Sequence, residues 1–135
     1  MSYEENIEDM MKCNQVIEEI TNEKVLYYRG AYGEYSNEVI LAAEDLGMQV
    51  IQWDVDTLDY TGLTVTQMCE RIKKKIKNGS IILMHNDTQY TASGLQEMID
   101  NIRKYGYEIV PIDELLYKEN YKINHEGRQI SKNKV

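Results

Sequence analysis

The residues of this chain best suited to chemistry stand directly behind apolar runs. His85 follows "IILM" (81–84), Arg29 follows "VLYY" (25–28), and Asp54, Asp56 and Asp59 follow "VIQW" (50–53), flanked by Trp53 and Tyr60. An imidazole at a cleft wall beside a carboxylate makes a good general acid. An arginine ahead of "GAYG" (30–33) puts a fixed cation beside a turn whose glycines let backbone N–H groups face a cleft, so Arg29 suits orienting a carboxylate or holding a developing oxyanion. Each residue also has a plainer reading. His85 can be a strand-end histidine satisfied by a backbone carbonyl, Arg29 can pair with Asp54 or Asp56 for structure alone, and Trp53 and Tyr60 can be packing rather than a sugar platform. The three aspartates also suit a hard cation, but Asp54 and Asp56 share one strand face and need a third ligand from elsewhere.

Behind these residues lies a recurring unit. "SNEVILAAEDLGMQVIQW" has a capping Ser36, a helical stripe of Val39, Ile40, Ala43 and Leu46, a stop at Gly47, and then an apolar run. "TVTQMCERIKKKIKNGSIILMH" repeats it, with Thr64 and Gln67 as a capping box, a stripe of Val65, Met68, Ile72 and Ile76, and a stop at Gly79. "TASGLQEMIDNIRKYGYEIVPI" is the third copy, with Leu95, Met98, Ile99, Ile102 and Tyr105 before Gly106. A first helix carrying Tyr3, Ile7, Met10, Met11, Ile17 and Ile20 ends near Asn22. The pattern predicts an α/β fold with four parallel strands, at about residues 25–28, 49–53, 80–84 and 107–111, alternating with five helices. Parallel strands end on one edge of their sheet, where such proteins place their sites, so Arg29, the aspartates and His85 are expected to meet in one cleft.

Composition narrows the partners. The chain has 135 residues, 42% of them hydrophobic, which suits one domain. Its net charge is −8 and its pI about 4.8, with Glu4, Glu5, Glu8, Asp9, Glu18 and Glu19 crowding the start, a field that repels phosphate backbones and argues against nucleic acid. From Lys118 the sign reverses with Lys122, Arg128, Lys132 and Lys134, and residues 118–135 read as a solvated basic tail. Cys13 and Cys69 lack CxxC spacing and read as small core hydrophobes. No apolar run is long enough to span a membrane, and the acidic start is the opposite of a signal peptide's. As written the chain reads as cytoplasmic; as a fragment of a longer exported protein it belongs outside the cell or in the cell wall.

Residues 1–117 carry a resemblance. "YYRGAYGEYSNEVILAAEDLGMQVIQWDVDTLDYTG" and "GSIILMHNDTQYTASGLQEMIDNIRKYGYEIVPIDELL" resemble the C-terminal half of the NodB-homology polysaccharide deacetylases, carbohydrate esterase family 4. Three motifs carry it in order: R-x-P-Y as Arg29, Gly30, Ala31, Tyr32; D-x-x-D-W as Asp56, Thr57, Leu58, Asp59, Tyr60; and L-x-H as Leu83, Met84, His85. The resemblance implies that Arg29 orients a catalytic base, the Tyr32 backbone N–H serves the oxyanion, Asp59 tunes the histidine, Leu83 contacts the acetyl group, and His85 is the general acid that protonates the leaving amine. Trp53 and Tyr60 complete the expected glycan-binding set. Ala31 replaces the motif's proline and Tyr60 its tryptophan, which loosens a turn and shrinks an aromatic wall.

The resemblance also implies a divalent metal such as zinc, held by an aspartate of T-F-D-D-G and two histidines of H-x-x-x-H, with the neighbouring aspartate as base. None of these motifs occurs here, and the second histidine, His125, lies in the tail. The expectation is therefore a partial (β/α) barrel lacking its N-terminal strands, with no cofactor of its own and no activity alone. Its exposed edge would be covered by a second copy in a homodimer or by a complementary N-terminal half. The competing readings are a noncatalytic module that binds N-acetylated glycan or protein, a phosphoacceptor receiver domain built on Asp54, and an α/β remnant without activity.

Overall fold

The structure, a computed structural model, describes residues 1–132; Lys134 of the basic tail lies outside the described residues. The chain divides into two compact units, Met1–Trp53 and a second beginning at Asp54.

In the first unit, α1 (Tyr3–Thr21) starts at a capping box that the helical periodicity did not reveal. The Ser2 hydroxyl accepts from the Glu5 N–H at 3.2 Å, and the Glu5 carboxylate accepts from the Ser2 N–H at 2.7 Å. It ends at Asn22, in the left-handed conformation with φ 55°. Strand β1 (Tyr27–Tyr28) pairs in parallel with β2 (Gln49–Val50), and α2 (Asn37–Asp45) connects them from the expected Ser36 cap. Met10, Ala42, Ala43 and Met48 are buried, with Tyr3, Ile7, Val25, Tyr28 and Val50 packed around them. Ala42 and Ala43 let α2 come close to its neighbours. Of the stripe expected on α1, Met11, Ile17 and Ile20 are exposed, as is Cys13, which is therefore no core residue.

The second unit opens on a strand hidden within the aspartate run, β3 (Val55–Asp56), parallel to β4 (Ile82–Leu83), with Val55 opposite Ile82 and Asp56 opposite Leu83. Helix α3 (Val65–Lys75) starts at the expected Thr64–Gln67 capping box, and α4 (Thr91–Lys104) follows β4. Val55, Met68, Cys69, Ile72, Met98 and Ile102 form the core. Gly94 lets the two helices approach closely, since a Cβ there would stand 2.3 Å from a Val65 methyl.

The fourth expected strand is not one. Residues 107–111 join no ladder: the Tyr107 N–H bonds back to the Ile102 carbonyl at 3.3 Å, closing the end of α4, and Pro111 has no N–H to give. The segment still packs, with the Tyr107 hydroxyl donating to the Ile76 carbonyl at 3.1 Å. After the short α5 (Ile112–Leu115), the stretch read as a solvated tail folds into an antiparallel hairpin, β5 (Tyr121–Ile123) and β6 (Gln129–Ser131). The fold is thus α/β with five helices, but the described strands form three two-stranded sheets, not one.

Candidate functional site

Two residues after β4, His85 meets Asp59, and a turn set by Asp56 makes this possible. The Asp56 carboxylate accepts from the Leu58 N–H at 2.8 Å, Leu58 takes the left-handed conformation at φ 54°, and a short 3₁₀ turn over Asp59–Thr61 closes at Gly62. Thr57 anchors the near side by giving both its N–H and its hydroxyl to the Leu83 carbonyl, at 3.3 and 2.9 Å. Arg71 holds the Asp56 carbonyl from the other direction. Asp59 is carried inward by this turn until its side chain has no exposed surface.

Four donors saturate the Asp59 carboxylate. Oδ1 accepts from His85 Nδ1 at 2.7 Å and from the Tyr60 N–H at 3.1 Å; Oδ2 accepts from the His85 N–H and from the Thr91 hydroxyl, both at 2.7 Å. Burial pushes the Asp59 carboxyl up, but the bonds from the His85 backbone, the His85 ring and Thr91 outweigh it and hold the group below its ordinary value of 3.8. An ionised carboxylate can only accept, so the His85 proton sits on Nδ1 and Nε2 is left to work. Nε2 has no partner among the described residues, and the His85 side chain is 39% exposed. The Tyr60 ring meets the imidazole edge-on, with centroids 5.1 Å apart and planes at 81°.

The other two aspartates do not share this corner. Asp54 turns to the hairpin, accepting from Arg128 Nη1 at 2.8 Å and Ser80 Oγ at 3.0 Å through Oδ2, and from the Ile81 N–H at 2.9 Å through Oδ1. Asp56 serves the turn. The expected gathering of all three against His85 is corrected to Asp59 alone, because Asp54 and Asp56 are committed to backbone and hairpin donors. Leu83 is half-buried on β4, its carbonyl taken by Thr57. The pattern of charges and aromatics did not point to Thr57, Thr88, Thr91 or Arg128; the spacing of Thr88 and Thr91 at the start of α4 was the available signal, and it reads first as a helix start.

Arg29, Tyr32 and Trp53 belong to the first unit. Arg29 Nε donates to the Ile51 carbonyl at 3.2 Å, and its guanidinium lies 5.4 Å from the centre of the Trp53 ring. Tyr32 sits in the 3₁₀ turn Ala31–Gly33 at φ 57°, with its side chain wholly exposed. Gly33 is required there: its φ is +73°, and a Cβ would stand 2.4 Å from the Trp53 ring. The Gln52 side chain clamps the turn by donating to the Gly33 carbonyl at 2.7 Å.

Among the described residues no three His, Cys, Asp or Glu side chains gather in a way that could hold a metal ion. Among the described residues Asp59 is saturated by hydrogen bonds and Asp54 is paired with Arg128, so neither is free to hold the metal that the family resemblance implies. No helix among the described residues is long and apolar enough to cross a membrane.

Comparison with known proteins bears on this geometry. The family model for polysaccharide deacetylase matches residues 1–51. A bifunctional xylanase/xylan deacetylase of Cellvibrio japonicus is 31% identical over 78% of this chain and 16% of its own length. The peptidoglycan-N-acetylglucosamine deacetylase of Listeria monocytogenes is 30% identical over 90% of this chain and 25% of its own. Among solved structures, a CE4 family pseudoenzyme from Bacillus anthracis superposes with a TM-score of 0.79 at 35% identity, covering 85% of this chain and 41% of that one. The chain thus spans a quarter or less of the length of these two curated relatives. These matches and the Asp59–His85 corner make the chain similar, over a part of their length, to the polysaccharide deacetylases of carbohydrate esterase family 4.

Proposed function

We propose that these residues present the proton-donating side of a glycan N-deacetylase site. The observation that carries this reading is the saturated, ionised Asp59 holding His85 by Nδ1 while Nε2 stands free and half-exposed. In amide hydrolysis the C–N bond breaks as the nitrogen takes a proton, and a protonated Nε2 supplies that proton to the leaving amine while Asp59 stabilises the ring. Leu83 and Tyr60 flank the acetyl-bearing sugar, and Arg29, Tyr32 and Trp53 supply the oxyanion donor and aromatic contacts that the family motifs assign them. The substrate class is an N-acetylated glycan of the peptidoglycan or chitin type. The two parallel strand pairs are then pieces of a (β/α) barrel, and a second copy or another polypeptide covers their free edges.

Alone, these residues give no turnover. A positioned base contributes about 10² to 10⁴ in rate, and none of the 135 residues occupies the family's base or metal motifs. Acetate release from N-acetylglucosamine oligomers, with zinc or cobalt added, should not rise above that of His85→Ala. Metal-dependent release that vanishes in the mutant would overturn the half-site reading.

A second reading is a noncatalytic glycan-binding module, favoured by the pseudoenzyme among the structural relatives. The two share one requirement, that oligosaccharide reaches His85. Titration with the oligomers should move the His85 ring signals; unmoved signals at saturating sugar would remove the glycan from both.

A further inference from the structure

Asp59 receives its fourth hydrogen bond from a residue outside every motif described above. Thr91 is the first residue of α4, buried at 8% exposure, and its hydroxyl lies 2.7 Å from Asp59 Oδ2. The Thr88 hydroxyl lies 2.6 Å from the Thr91 oxygen. The proton direction along this chain is fixed by chemistry. Asp59 can only accept, so Thr91 donates to it; the Thr91 oxygen is then free only as an acceptor, so Thr88 donates to Thr91. A hydroxyl that accepts while it donates is a stronger donor.

The consequence is local to His85. Asp59 Oδ1 faces the imidazole, while Oδ2 is shared by the His85 N–H and Thr91. Without Thr91, Oδ2 keeps one donor, and the carboxylate is freer to turn about its last torsion and release Nδ1. We infer that Thr91, backed by Thr88, is a positioning residue for the general-acid histidine: its hydroxyl locks the Asp59 carboxylate in the rotation that holds the His85 ring. This rests on the proposed role of His85 for its functional meaning, but its physical content does not.

The experiment is a carboxyl and imidazole NMR comparison of the full chain with Thr91→Val and Thr91→Ser. Valine keeps the shape of threonine and removes the hydroxyl, and serine keeps the hydroxyl. His85 is the ionisable neighbour hydrogen-bonded to Asp59, with the Tyr60 ring against it, and His125 on the hairpin connection serves as an internal control. In Thr91→Val the Asp59 carboxyl should become a weaker acid by about tenfold, the scale of one hydrogen bond to a charged group. The His85 Nδ1 proton should exchange with water correspondingly faster. Thr91→Ser should restore both, and His125 should not change.

A packing role alone would leave the carboxyl titration of the valine variant unmoved, and that result overturns the inference. So does an equal effect of valine and serine. If Thr91→Val fails to fold, Thr88→Val decides: it leaves Thr91 in place and should shift the same two readouts in the same direction by a smaller factor, and no shift refutes the chain. The deacetylase reading fails on acetate release and sugar titration, this one on the carboxyl titration, so the failure of one is not the failure of the other.

Discussion

Two corners of this protein carry the family's chemistry-bearing residues, and they are built on opposite plans. At Asp59 every acceptor direction is filled, by two backbone N–H groups, a ring nitrogen and a hydroxyl, in a place without solvent. At Arg29, among the described residues, a single bond to the Ile51 carbonyl and the face of Trp53 hold an exposed guanidinium. A group that must hold another residue in one orientation needs closed hydrogen bonding, and a group that meets an outside molecule needs open donors. The difference teaches that Asp59 works on the protein itself and Arg29 has donors to spare for something else.

The comparison breaks most sharply at Asp59. Asp59→Ala leaves the His85 N–H, the Tyr60 N–H and the Thr91 hydroxyl without their acceptor, and should destabilise the chain by roughly 3 kcal/mol in urea unfolding. The pH dependence follows from the depressed carboxyl. Its folded value lies below the ordinary 3.8, so its contribution is complete above about 3.8 and disappears as pH falls through the lower folded value. Asp59→Asn should flatten the loss of stability below pH about 4. A mutant curve parallel to the parent's in that window would mean the carboxylate's bonds contribute no net stability.

Gly33 is the corresponding weak point of the other corner. Gly33→Ala demands a left-handed alanine whose Cβ would lie 2.4 Å from the Trp53 ring, so the turn or the ring must move. The expected cost is about 2 kcal/mol. Because Trp53 is the only tryptophan, its fluorescence should shift as well. A normal melting temperature with an unshifted spectrum would show that the turn yields without disturbing Trp53.

Local signals were the legible ones. Ser36, Thr64 and Gln67 announce helix starts because a cap is settled within four residues, and Asp59 and His85 stand out because each stands behind a short apolar run, although 26 residues separate them. What stayed hidden depended on distant partners. Asp54 and Asp59 look alike in sequence, yet Asp54 answers to Arg128, 74 residues away, and Asp59 to Thr91, 32 away. Residues 107–111 have the composition of a strand, and only the diversion of the Tyr107 N–H to Ile102 and the missing donor of Pro111 take them out of a ladder. The barrel geometry expected from the repeating units is likewise a matter of long-range closure.

A smaller effect sharpens the contrast between closed and open sites. Arg29→Ala removes one hydrogen bond and the stacking on Trp53, both at an exposed side chain, and should cost about 1 kcal/mol or less. A loss as large as that of Asp59→Ala would mean that the Arg29 corner is structurally closed after all.

The least costly change should be Arg128→Ala. The Arg128–Asp54 pair is a quarter exposed on each side, and exposed or half-exposed pairs are worth up to about 1 kcal/mol, less at high salt. Asp54 keeps Ser80 and the Ile81 N–H, so no buried charge is left bare. What changes is local: Arg128 also donates to the Asn78 carbonyl, so it is the tie between the hairpin and the loop before β4. The melting temperature should hardly move, while amide exchange in residues 121–131 speeds up and that of α3 and α4 stays fixed. If α3 and α4 loosen together with the hairpin, the basic C-terminal stretch is part of the same cooperative unit as the Asp59 corner, and the site depends on it.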